Sequence, residues 1–201
     1  MSGENFKSEY RDFRNSVVTG RRFVMEERAV RFLDGVRNSV PEKVVKLPKG
    51  TIVYRAQLGY RQNDSTDPPS PLNCHETKRM LPSGNYVGQG RANSDRKVVF
   101  YAANNKETAI KEMRPWIGSY VSVAAFKIKR ELKIVDFFSS YGGLHQSFAF
   151  AMKRKTMSAK EFDDYVWHSI GEAFCQPVTI SDDPLGYLPT QIIAELIESL
   201  G

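Results

Sequence analysis

The stretch that decides the fold is residues 78–137, KRMLPSGNYVGQGRANSDRKVVFYAANNKETAIKEMRPWIGSYVSVAAFKIKRELKIVDF. It opens with a glycine-flanked turn, GQGRANS, and passes into VVFYAA, whose β-branched and aromatic residues predict a strand over Lys97–Ala102. Asn104 then offers a helix N-cap, and Glu107 three residues on completes a capping-box pattern. Ala109, Ile110 and Met113 form the buried stripe of that short helix, and Pro115 ends it. Two further strands are expected over Tyr120–Lys129 and Glu131–Phe137, with a hairpin turn near Lys129–Arg130. Three chemically distinct groups stand on these neighbouring elements: Arg91 in the turn, Tyr101 at the strand's end and Glu112 on the helix.

Outward from this block the elements alternate irregularly. Residues 5–40 read as a helical pair, because Met25, Ala29, Phe32, Leu33 and Val36 recur at helical spacing until Pro41. TIVYRAQ, residues 51–57, reads as a strand. Residues 59–73, GYRQNDSTDPPSPLN, read as a long polar surface loop. Beyond Phe137 the chain turns helical. Ser158 and Glu161 make a capping box ahead of Phe162, Tyr165, Val166, Ile170, Ala173 and Phe174, and Pro177 ends that helix. A loop, SDDPLG, leads to a last amphipathic helix carrying Ile192, Ile193, Leu196, Ile197 and Leu200. An irregular order of this kind fits an α+β fold better than a regular βαβ sheet. The expected domains are a helical extension over 1–44 and a main domain over 45–201.

The bulk numbers bound the function. With 201 residues the chain can bury a sizeable core, and 41% hydrophobic with 26% charged residues is ordinary for a globular protein. A net charge of +6, spread along the chain, favours anionic ligands weakly; a nucleotide fits as well as nucleic acid. Cys74 and Cys175 form no metal-ligand spacing, Cys74–His75 has no partners, and the expectation is reduced thiols and no metal. The N-terminus lacks a signal-peptide core, and no apolar run approaches the ~20 residues of a membrane span, so a cytoplasmic protein is expected.

Each candidate residue has a plain reading and a functional one. Arg91 sits between glycines that allow close approach, where a guanidinium can hold a pyrophosphate by paired hydrogen bonds; alone it reads as a surface arginine. GQGRANS is not a GxGxxG fingerprint, since no helix opens directly after it. Tyr101 can stack on a planar ring or simply pack. Glu112 lies about 100° around its helix from Met113 and can steady positive charge at an anomeric carbon, or be a solvated glutamate. Arg55, charged within the strand VYRAQ, points to solvent, an ion pair or a ligand. Arg114, His145 and His168 have no triad-like context. There is no GxSxG, P-loop or HExxH pattern.

Taken together, the order is specific. YRA at 54–56, KRM with Pro82, GRAN at 90–93, VVFYAA, TAIKEMRPW at 108–116, VSVAAFKI, LKIVDF and YLPTQIIAE resemble the RES domain family over residues 45–201. The resemblance implies a split, mostly antiparallel sheet similar to ADP-ribosyltransferases, with NAD as substrate and no metal. It places the family's arginine, tyrosine and glutamate on Arg91, Tyr101 and Glu112, with Arg55, Arg91, Asn93 and Tyr101 contacting NAD. The activity implied is cleavage of the nicotinamide–ribose bond by water or phosphate, in a toxin with a cognate antitoxin encoded elsewhere. A homodimer is among the assemblies compatible with it. Transfer of ADP-ribose to a protein, and a non-catalytic basic binding module, are the alternatives; sparse basic clustering argues against nucleic acid. The family's serine-bearing segment has no counterpart before Gly201, so a longer gene product is expected.

Overall fold

The computed structural model describes residues 6–20, 24–61, 73–83, 88–95, 97–138, 158–176 and 184–201. The elements, in chain order, are α1 (Phe6–Thr19), α2 (Glu27–Ser39), a 3-10 turn (Val40–Lys43), β1 (Val44–Leu47), β2 (Ile52–Leu58) and α3 (Thr77–Met80). They continue with α4 (Lys106–Glu112), β3 (Val121–Lys127), β4 (Leu132–Val135), α5 (Ala159–Cys175), a 3-10 turn (Pro184–Tyr187) and α6 (Leu188–Glu198). The fold is α+β, with β1 beside β4 in one two-stranded sheet and β2 beside β3 in another. The chain forms two compact units, one of residues 1–45, 88–95 and 134–201, the other of residues 46–87 and 96–133.

The first unit is helical at heart. Phe13 and Val17 face inward from α1, and Ala29, Phe32 and Val36 from α2, at the i, i+3, i+4 spacing that puts apolar groups on one stripe. Phe13 stacks on Phe32 with ring centroids 4.7 Å apart. Trp167 and Ile170 of α5 and Ile193 of α6 fill the same core, with Met25 and Leu33 packed at its margin. The helices expected as a separate extension therefore share one core with the C-terminal helices. Trp167 Nε1 donates to Ser39 Oγ at 2.9 Å, so the one polar atom of this buried ring is satisfied. The capping box at Ser158 and Glu161 starts α5. At Gly171 a Cβ would stand 2.7 Å from the Phe138 ring, so the aromatic lies directly on the helix backbone.

Among the described residues of this unit, one charge is buried. Lys43 is 4% exposed, and its ammonium lies 2.6 Å from Asp164 and 3.2 Å from Asp163. Burial alone would lower its pKa, but the two carboxylates outweigh it and the net shift is upward.

The second unit is built on the β2–β3 pair, antiparallel over seven residues from Ile52 opposite Lys127 to Leu58 opposite Val121. α4 packs on this pair and buries Ala109. Ser122, 2% exposed, donates to Gly59 O at 2.8 Å and accepts from His75 N at 3.0 Å, tying the segment before α3 to the strand ends. Gly59 turns with φ 94°, where a side chain would press on the His75 ring.

Three expectations need correction. β3 and β4 do not form a hairpin: β3 pairs with β2 and β4 with β1, and no Gly or Asn near Lys129–Arg130 supplies the positive φ that a tight hairpin needs. Residues 97–102 do not join a ladder; just after them a single bridge at Ala103 meets β2, its N–H and C=O exchanging hydrogen bonds with Tyr54 at 2.8 and 2.7 Å. Val98, Phe100 and Tyr101 are exposed, so this run has no buried face to hold it flat in a sheet. The cap of α4 is Asn105, one residue later than expected. Residues 62–72 of the polar loop, residues 139–157 with His145, and residues 177–183 with Pro177 lie outside the described residues. Among the described residues no helix is long and apolar enough to cross a membrane.

Lys43→Met should cost about 3 kcal/mol in urea unfolding, because it strands two neighbouring carboxylates. Lys46→Met, which removes only the exposed pair with Glu131, should cost at most about 0.5 kcal/mol. Equal losses would show that Lys43 behaves as a surface charge.

Burial of Tyr10 pushes its phenol up to about 12, an effect opposed in part by the positive charges of Arg14 and Arg91. The folded state thus holds its proton more tightly than the unfolded chain. This contribution is complete below the unfolded pKa, near 10, and is lost as pH rises through about 12. Its size is roughly 2–3 kcal/mol. Tyr10→Phe should flatten the fall in stability between pH 10 and 12; an unchanged slope would place the alkaline sensitivity elsewhere.

Candidate active site

A cavity of 530 Å³ opens in the second unit, lined by Arg55, Tyr101, Asn104, Thr108 and Glu112, among others. Its volume is within the range of small-molecule sites, about 300–1,000 Å³. β2 supplies the floor, residues 101–104 one wall and α4 the other. The wall is placed by the Tyr54–Ala103 bridge, which draws the chain alongside β2 just before the helix begins. Asn105, in an extended conformation, then accepts a hydrogen bond from Thr108 N at 2.8 Å and starts α4. Thr108, Ala109, Glu112 and Met113 recur on one helical face, and this face lines the cavity. The helix ends at once: Met113 closes it, Arg114 takes φ 44°, and Pro115 follows.

Arg55 reaches across from the strand. Its Nη1 donates to Tyr101 O at 3.1 Å, and its guanidinium carbon lies 5.5 Å from the centre of the Phe100 ring. Its Nε is buried and has no hydrogen-bond partner among the described residues. Burial first, and then the charge of Arg79, pushes its pKa down, although an arginine stays charged. A desolvated cation facing another cation, with a donor unsatisfied, gains from an anion in the cavity. Tyr101 is 48% exposed, leaving a ring surface for stacking. Glu112 is exposed and forms no hydrogen bond or ion pair with the described residues.

Arg91 and Asn93 belong to the first unit. Gly90 and Asn93 bond to each other in both directions, N to O, at 3.0 and 3.3 Å, so Arg91 and Ala92 are the two central residues of a closed turn. The Asn93 side chain is 1% exposed and donates to Gly88 O at 2.8 Å and Ser94 O at 3.2 Å. It serves the loop's own hydrogen bonding. Arg91 lies over the Tyr187 ring, 5.0 Å from its centre. Gln191 of α6 lies in the YLPTQIIAE run, where the sequence gives it no role of its own. It is 5% exposed, and its Nε2 donates to Gly90 O and Asn93 O, each at 2.9 Å. His168 pairs with Glu172 on α5 and stands edge-on to Phe138. Among the described residues no three His, Cys, Asp or Glu side chains are grouped to hold a metal ion.

The fold is thus α+β, with a small-molecule pocket that offers a cation, an exposed aromatic ring and a carboxylate. The RES domain family model matches residues 72–197, more than half of the chain, and the protein belongs to the RES domain family. This is an NAD-related, toxin-like family. Tyr101, Glu112, Arg91 and Gln191 fall inside the match, and Arg55 falls before it. Neither curated proteins nor solved structures give a significant match.

Asn105→Ala should lower the stability of the second unit by about 1 kcal/mol, the usual value of an N-cap, whereas Asn105→Asp, which keeps an acceptor, should not. Urea unfolding would decide; an alanine variant as stable as the parent would mean that packing alone sets the start of α4.

Proposed function

We propose that the chain cleaves the bond between nicotinamide and ribose in NAD and passes the ADP-ribosyl group to water or phosphate. The observation that carries this reading is the cavity of 530 Å³ that brings Glu112, Tyr101 and Arg55 together. Cleavage breaks a carbon–nitrogen bond whose electron pair leaves with nicotinamide, which departs neutral. Positive charge then grows on the anomeric carbon and ring oxygen. A carboxylate that binds the ribose 2′-hydroxyl lies where it can stabilise that charge, and this is the role proposed for Glu112. Because the leaving group starts as a cation, no metal or general acid is called for. Tyr101 packs on nicotinamide or its ribose. Arg55, which lines the cavity, takes an anionic part of the substrate. The family resemblance assigns Arg91 to the pyrophosphate.

The acceptor closes the balance. With water, its oxygen bonds the anomeric carbon and one proton is released; with phosphate, the product is a phosphorylated ADP-ribose. The reading extends to a cytoplasmic toxin restrained by a cognate antitoxin, and its support is the toxin-like character of the family.

The test is NAD consumption by the purified chain, with and without phosphate, beside Glu112→Gln and Glu112→Ala. Both variants should lose about 10²–10³ in kcat, the scale of removing one charge-stabilising group. Their unfolding free energy should stay within about 0.5 kcal/mol of the parent, as Glu112 is exposed. Parent-like turnover in either variant would sink the reading. Incorporation of labelled ADP-ribose into protein, in place of free product, would reassign the acceptor.

A further inference from the structure

We infer that Asn104 is a binding residue of the cavity in the second unit: its side-chain NH₂ group donates to a phosphate oxygen of the substrate. This rests on the NAD reading above. The helix cap falls on Asn105, and Asn104, relieved of that task, stands on the cavity wall. Two hydrogen bonds fix which end of its amide is offered. Thr108 N donates to Asn105 Oδ1 at 2.8 Å, and a backbone N–H can only donate, so the Asn105 oxygen must face the first turn of α4. Its nitrogen therefore points the other way, and Nδ2 donates to Asn104 Oδ1 at 2.9 Å. Turning the Asn104 amide over would set NH₂ against NH₂, so its oxygen stays on Asn105 and its two N–H groups form the outer end. Among the described residues these N–H groups have no acceptor.

The surroundings select the ligand. Arg55 reaches from β2 to the same wall, where its Nη1 donates to Tyr101 O at 3.1 Å. Lys106, two residues beyond Asn104, adds a second cation at this end; its ammonium lies 5.9 Å from the centre of the ring of Tyr54, another lining residue. A guanidinium, an ammonium and the outer end of the Asn104 amide can donate but not accept. Their complement is an oxygen that only accepts, and a phosphate oxygen adds the charge that the two cations favour. Glu112, two turns further along the same face, presents the opposite charge. An anion is therefore drawn to the Asn104 end of the cavity and away from the Glu112 end. Asn104 touches no reacting atom in this scheme, so its contribution falls on affinity.

The experiment compares Asn104→Asp and Asn104→Ala with the parent. Two readouts are used: calorimetric binding of inorganic pyrophosphate, which needs no turnover, and steady-state kinetics on NAD. Asn104→Asp keeps the oxygen that accepts from Asn105 and removes both donors; Asn104→Ala removes oxygen and donors without adding charge. Both should weaken pyrophosphate about tenfold, the scale of a hydrogen bond to a charged group. Both should raise the KM for NAD by a similar factor with kcat within about twofold, the signature of lost ground-state binding. Parent-like pyrophosphate binding by Asn104→Asp would leave Asn104 only the task of holding Asn105, and overturns the inference. Parent-like binding by Asn104→Ala would reduce the effect of the aspartate to repulsion, and overturns it too, as does an unchanged KM in either variant; NAD cleavage by the parent stands in all three cases. Asn104-dependent pyrophosphate binding by a parent that leaves NAD intact supports the inference and removes the NAD reading. A parent that neither cleaves NAD nor binds pyrophosphate overturns both. If an Asn104 variant does not fold, Asn105→Ser, which keeps a capping oxygen but frees the Asn104 amide to turn over, takes its place. It should weaken pyrophosphate about threefold, because the freed amide offers its oxygen part of the time, and parent-like binding again overturns the inference.

Discussion

Strand β2 has two edges to satisfy, and the second unit follows from how it does so. An unpaired backbone group away from water costs as much as a lost hydrogen bond, so a strand packed under a helix must find partners on both sides. β3 covers one edge along seven residues. The other edge is met at Tyr54 by Ala103, which exchanges both of its hydrogen bonds there. That bridge brings residues 101–104 against the strand, where Arg55 takes the Tyr101 carbonyl. Asn105 follows directly and caps α4, so Glu112 comes two helical turns later on the face that lines the cavity. A two-residue bridge thus places a cation, a ring and a carboxylate that are separated by 57 positions in sequence, from Arg55 to Glu112.

The first unit solves a different problem with the same economy. A turn of Gly, Arg, Ala and Asn has little apolar surface to hold it, and its glycine makes the unfolded chain costly to order. The structure fixes it by saturating its carbonyls. Backbone donors take one lone pair of Gly90 O and of Asn93 O, and Gln191 takes the other. The Asn93 amide ties the flanks at Gly88 and Ser94. Because Gln191 is buried on a helix whose neighbours are Phe13, Phe32 and Trp167, the local order of the turn draws on the packing of the whole helical core.

What could be read from sequence was local. The helical stripe of Ala29, Phe32 and Val36 and the capping box at Ser158 and Glu161 depend on neighbours three or four residues away, and the structure has them where spacing puts them. Strand-forming composition in VVFYAA reports side-chain shape, but a ladder needs a partner edge, and that is a long-range fact; residues 97–102 stay outside the sheet. With Asn at both 104 and 105, composition could not decide the cap, which the backbone set at Asn105. α3 is a single turn of four residues, too short to show a period. That Arg55, Tyr101 and Glu112 come together at one cavity was foreshadowed only by their joint order, each alone having a plainer reading. Gln191 lies in the YLPTQIIAE run, but its hydrogen-bonding role was illegible, since its two acceptors lie 101 and 98 positions away.

The family match and the physical units do not share boundaries, and the difference carries meaning. The match begins at residue 72, after β2 and after α1 and α2. Yet Arg55 lines the same cavity as the matched Tyr101 and Glu112. Likewise all but the last residue of α6 lies within the match, yet its packing partners include α1 and α2, outside it. A matched segment taken alone would keep the carboxylate and the turn arginine. It would lose the strand that places residues 101–104 and the helices that hold Gln191. The matched residues that line the cavity are therefore positioned in part by chain that lies outside the match.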